Sequence, residues 1–208
     1  MSSSDDSHPR TTDGRTLRHQ HRRPEIIAAL ADYLLANGLA DLSLRPAAAA
    51  IGVTHTTLGR HFSTKDALIT EVVEQIRDDL VSRVSAAIEA DETEDLTTFI
   101  TNQWSLLTTP TEIRQFVLVC ELVARRSRAT SNVERALGRG LSDDLTAPIR
   151  SRLAERFGLS PTRADAISIS IVAQFRGLAI DILLSDDRRR ADAAITTFAA
   201  QLAQVTER

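Results

Sequence analysis

The sequence predicts an all-α fold, and three observations carry that prediction. Turn-forming residues are scarce, with 8 Gly and 6 Pro among 208 positions. Helix formers dominate in their place: the chain holds 28 Ala, 24 Leu and 24 Arg, a balance that excludes a β-sandwich or barrel. Apolar residues also recur at three- and four-residue spacing from Ile26 to Val205, the period of helices with a buried face. The length suits one domain, or a small module joined to a larger bundle.

Residues 1–22 are polar and hold almost nothing to bury, which predicts a disordered basic arm. A first helix is expected from Pro24, well suited to a first turn, through Ile26, Ile27, Leu30, Tyr33 and Leu34 to a stop at Asn37-Gly38. Ser43 can cap a second helix over 44–51, with Pro46 tolerated in its first turn and Gly52 ending it. Thr54 can cap a very short third helix anchored by Val53 and Leu58. Ser63 or Thr64 caps a fourth, with Asp66 placed for a capping box from Ser63. Its stripe of Leu68, Val72, Ile76, Leu80 and Val84 runs out of the small module toward the rest of the chain, a mechanical link.

The acidic stretch 89–95 marks a break. Beyond it one helical face reads Leu96, Phe99, Ile100, Gln103, Trp104 and Leu107 up to Pro110, and the next reads Ile113, Phe116, Val117, Cys120, Val123 and Ala124. Residues 133–157 hold a further pattern, which Gly138-Arg139-Gly140 is expected to interrupt and Pro148 to kink or divide. That glycine pair lacks the spacing and the Lys-Ser/Thr end of a phosphate loop. After Gly158, Ser160-Pro161 opens a helix to about residue 185 that is apolar nearly all round and needs two burial surfaces. A last helix over 189–205 completes the chain, and the final two helices are expected to build a homodimer interface.

Chemistry is limited by what the larger segment lacks. All five histidines and the only Lys and Tyr lie at or before Lys65, so residues 66–208 contain no His, Lys or Tyr. Nucleophilic triads, Schiff bases and His-based metal sites are therefore unavailable there, and no enzyme, cofactor or metal is expected. Cys120, the only cysteine, can form no internal disulfide and reads most simply as a small core hydrophobe, and the lack of disulfides fits a reducing cytoplasm. No signal-like apolar region opens the chain and no run of about 18 apolar residues occurs, so neither export nor a membrane span is expected. The net charge of −3 divides unevenly: residues 1–65 carry eight basic and six acidic groups, whereas residues 66–208 carry 17 and 22.

The stretch from Gly52 through Val53-Thr54-His55-Thr56-Thr57-Leu58-Gly59-Arg60-His61-Phe62 joins two short helices by a tight glycine turn, a helix-turn-helix. With the helix stop at Asn37-Gly38, the run 43–62 and the Lys65-x-x-Leu68 start of a long helix, the chain resembles a TetR-family transcriptional regulator over about residues 23–70. That resemblance implies a nine-helix homodimer with a DNA-binding module at 23–69 and a ligand-binding and dimerisation domain at 70–208. It implies that Arg45 reaches DNA from the second helix, that Thr54, His55, Thr56 and Thr57 open a helix facing base edges, and that Arg60, His61 and Lys65 contact or flank phosphates. Arg22 and Arg23 crowd the start of the first helix, where a phosphate would be a favourable partner. Where the family usually has an aromatic residue this chain has Gly59, which predicts a more mobile recognition helix or an altered operator.

For the C-terminal domain the resemblance implies a small-molecule effector cavity. Phe99, Trp104, Phe116 and Phe175 are candidate walls, with Gln103, Cys120, Glu121, Gln174 and Arg176 beside them. The plainer reading of each is an ordinary core or surface residue. The expected function is a cytoplasmic repressor released from a pseudo-palindromic double-stranded DNA operator by an effector. The alternative is an all-helical ligand carrier with a weakened DNA-reading module.

Overall fold

Leu17, Arg18 and Gln20 are good helix formers, and no residue from Arg15 to Arg23 stops a helix. In the computed structural model of the chain, α1 accordingly spans Gly14–Asn37 and carries Pro24 inside it. Residues 14–22 are thus helical rather than a disordered arm, and Pro24 forfeits one backbone bond instead of starting the helix. The structure describes residues 14–39, 42–126 and 132–206; residues 1–13 of the expected arm and the side chain of Arg22 lie outside the description.

The order continues with α2 (Leu44–Ala50), α3 (His55–His61), α4 (Lys65–Ala90), α5 (Leu96–Leu107), α6 (Pro110–Arg126), α7 (Asn132–Glu155), α8 (Pro161–Ser185) and α9 (Arg188–Thr206). Among the described residues there is no strand. Thr64, not Ser63, caps α4: its hydroxyl accepts the Ala67 amide at 3.0 Å, so the box from Ser63 to Asp66 is not formed. α7 runs undivided through Gly138-Arg139-Gly140 and Pro148. Packing along α8 and α4 outweighs the roughly 1 kcal/mol cost of each glycine and the larger cost of proline.

Two cores organise these helices. In the first, Leu30 and Leu34 of α1, Leu39, Leu58 of α3, and Leu68 and Val72 of α4 are fully buried. The second gathers Phe99 and Ile100 of α5, Ile149 and Leu153 of α7, Ile171 of α8 and Ile195 of α9. α4 belongs to both, giving Leu68 to Ile76 to the first and Val84 and Ile88 to the second. It is also braced sideways: Arg77 Nε donates to Asp144 of α7 at 2.7 Å, and Arg83 reaches the buried Glu112 of α6 at 3.0 Å and Gln115 at 3.1 Å.

α8 buries Ala164, Ser168, Ile171, Val172, Phe175 and Ala179, while Ile169, Ile180, Leu183 and Leu184 on its other side remain exposed, Leu184 by 82%. By length and composition α8 is also apolar enough to cross a membrane. Within the chain its buried stripe packs on α7 and α9.

Candidate nucleic-acid interface

The turn between α2 and α3 closes on itself. Gly52 takes φ +72°, its amide donates to Ala49 O at 3.2 Å, and the next amide, Val53 N–H, returns to Ala48 O at 2.9 Å. Thr54 then caps α3, accepting the Thr57 amide at 3.1 Å, while the two threonine hydroxyls lie 2.9 Å apart. Leu58 plugs α3 into the first core. Its opposite face is set by helical spacing: His55, Thr56, Gly59 and Arg60 are all exposed and contiguous. A Cβ added at Gly59 would meet nothing within 4 Å.

Flanking cations fall into two groups. Arg45 is exposed in the first turn of α2, and Lys65 is exposed at the first position of α4. Among the described residues Lys65 Nζ donates one hydrogen bond, to Leu42 O, which leaves two of its three donors for another acceptor. Arg23 is committed inside the module. Its Nη2 meets Glu71 Oε1 and Oε2 at 2.6 and 2.7 Å, its Nη1 donates to His61 O, and its guanidinium lies 4.8 Å from the centre of the Phe62 ring. Arg23 thereby clamps α1 to the end of α3 and to α4, a role that the sequence did not indicate because Glu71 is 48 residues away. His61 and Thr57 are half-buried, apart from the fully exposed face.

The residues expected around an effector do not share one surface. Phe99 packs on Phe157 at 5.7 Å with the Arg152 guanidinium over its ring, and Trp104 packs on Phe175 at 5.8 Å while donating Nε1–H to Asp192 at 2.7 Å. Phe99, Trp104 and Phe175 belong to the second core, and the partly buried Phe157 packs against it. Gln103 is 3% exposed, its Oε1 makes no hydrogen bond among the described residues, and it lines an open cleft of about 390 Å³ with Ala87, Asp91, Asn102 and Leu106. Phe116 and Gln174 are half-buried on α6 and α8. Cys120 is an exposed residue of α6 rather than the core residue expected, and partial burial of its thiol pushes its pKa up, an effect the nearby Arg176 cation opposes. Burial likewise pushes Arg176 down. Glu121 leaves the group altogether: its Oε2 accepts the amide of Leu39, in the helix-turn-helix module, at 2.7 Å.

No family model matches the chain. Over 78 residues the chain is 37% identical to Nucleoid occlusion factor SlmA of Aliivibrio fischeri, a match covering 37% of this chain and 40% of that relative. The chain therefore spans well under half the length of this curated relative. A TetR-family transcriptional regulator from Cytophaga hutchinsonii superposes with a TM-score of 0.73 at 16% identity, over 90% of this chain and 95% of its own. A transcriptional regulator from Rhodococcus sp. Rha1 superposes with a TM-score of 0.71 at 22% identity, over 88% of this chain and 96% of its own. So extensive a backbone match at such low identity is a match of architecture: the chain has the fold of the TetR-family transcriptional regulators.

Proposed function

We propose that the chain is a homodimeric DNA-binding transcriptional regulator, a repressor released from a pseudo-palindromic operator by a small-molecule effector. The observation that carries this reading is the exposed face of α3, where His55, Thr56, Gly59 and Arg60 project from a helix anchored by Leu58. Threonine methyls suit thymine, a histidine N–H suits a purine acceptor, and arginine suits guanine or phosphate. Arg45 and Lys65 flank that face as phosphate contacts, and Thr54 and Thr57 hold the start of the helix. The module comprises residues 23–69, and residues 70–208 bind the effector and dimerise through the exposed apolar side of α8 with α9.

α4 carries the coupling, because one end of it lies in each core. An effector seated in the C-terminal domain, at the cleft that Gln103 lines between α4 and α5, shifts DNA affinity only by binding two arrangements of the dimer unequally. Two recognition helices must reach major-groove faces about 34–36 Å apart, or an adapted multiple, so a small tilt of α4 breaks register. The chain acts in this way in the cytoplasm and without catalysis.

Selection of bound duplexes from a random DNA pool tests the reading. Enrichment of two inverted half-sites is expected, and a pool with no enriched motif contradicts it.

A further inference from the structure

Each of the positive-φ glycines ends a helix, but they hand on the following amide differently. After Gly52 the next amide, Val53 N–H, returns to its own helix at Ala48 O, and after Gly158 the amide of Leu159 returns to Leu153 O of α7 at 3.2 Å. After Gly38, with φ +74°, the glycine amide closes the helix onto Leu34 O at 2.8 Å, while the Leu39 amide goes to a carboxylate of α6. Asn37 Nδ2 meanwhile covers the Tyr33 carbonyl at 2.8 Å. The end of α1 is thus completed by a residue 82 positions away.

Two further contacts make this a seat rather than a chance approach. A Cβ at Gly38 would lie 3.1 Å from Glu121 Oε1, so the glycine supplies both the left-handed turn and the room for the carboxylate. One turn earlier on α6, Leu118 is 3% exposed within the core of the DNA-facing module. α6 therefore enters that module with an apolar peg and a charged hydrogen-bond acceptor, neither of them on α4.

We propose that Glu121 is a positioning residue that sets the orientation of the helix-turn-helix module through the Leu39 amide, giving the module a second tie to the C-terminal helices besides α4. The proposal rests on the DNA-binding reading for its consequence, but the contacts that carry it all lie within one chain. A charge-assisted bond to a backbone amide is strong and directional, so losing it frees the end of α1 to rotate about the Leu118 contact. A movement of α6 reaches α1 directly, without first tilting α4.

The test uses the full chain with Cys120→Ser, spin-labelled at Ser43→Cys and Ser151→Cys, both exposed positions, and diluted with unlabelled protein so that only the within-chain distance is read. A narrow distance distribution is expected in this parent. Glu121→Ala should broaden it or displace its centre by about 3 Å or more and raise exchange of the Leu39 amide at least tenfold, whereas Glu121→Gln, which keeps an acceptor oxygen, should restore both. An unchanged distribution in Glu121→Ala overturns the proposal. Equal disturbance in Glu121→Gln also overturns it, because a neutral acceptor of the same length would then fail to hold the amide. DNA binding is measured on the unlabelled proteins without the Ser43 and Ser151 changes: a parent that discriminates no sequence, while its labelled form shows the expected distances, refutes the DNA-binding reading and leaves the positioning role standing.

Discussion

Gly59 sits where nothing in the folded chain requires a glycine. It lies within a seven-residue helix, takes no positive φ, and has open space where a Cβ would be. Gly59→Ala should therefore stabilise the chain by about 0.8–1 kcal/mol, raising Tm by about 2–4 °C and slowing amide exchange along α3. A Tm that falls in calorimetry would mean that the site is not open. Arg23 makes the opposite case. Its carboxylate, carbonyl and ring contacts make Arg23→Ala a folding defect, expected to cost about 1–2 kcal/mol after allowance for its partial exposure, with a lowered urea midpoint even without DNA. Arg60→Ala should leave that midpoint unchanged and lower the salt slope of DNA binding by about 1.

At the scale of elements, what was legible depended on how local the determinants are. The Gly52 turn, the Thr54 cap and the α2–α3 pair follow from residues within a few positions of one another, and they fold as their spacing predicts. Ser43 and Thr64 show the limit of that reasoning: Ser43 precedes α2 without making a side-chain cap bond, and the hydroxyl that caps α4 is the later of two candidates. The passage of α7 through two glycines and a proline was illegible because tertiary packing decides it, and the partners of Arg23 and Glu121 were illegible because they lie far away in sequence. Asp95 offers an element-scale test. It caps α5 by accepting the Thr98 hydroxyl at 2.6 Å and the Thr98 amide at 2.7 Å, and these bonds hold its carboxyl below the usual range. Its contribution is thus present above the ordinary carboxylate pKa and fades as pH falls through the lowered one. Asp95→Ala should cost about 1 kcal/mol at neutral pH, and the difference in denaturant midpoint between it and the parent should shrink on acidification. A constant difference down to acid pH would contradict the assignment.

For the whole molecule, charge and apolar surface are segregated. The N-terminal part has a small basic excess and the remainder an acidic one, so the net −3 conceals two modest fields of opposite sign. Ile169, Ile180, Leu183 and Leu184 of α8 are exposed, and they form the face that the proposed dimer would cover. Ile180→Asp combined with Leu184→Asp should convert a dimer to a monomer in sedimentation equilibrium and weaken DNA binding by well over tenfold, because each half-site then binds alone. A dimer that survives both changes would place the interface elsewhere. Whether the α3 face reads DNA is decided by fluorescence polarisation of the full chain on duplex DNA from upstream of its own coding sequence, across a salt series and against a scrambled duplex. Tight, sequence-selective binding is expected, with an affinity that falls steeply and log-linearly with salt. Micromolar binding that is indifferent to sequence would contradict it.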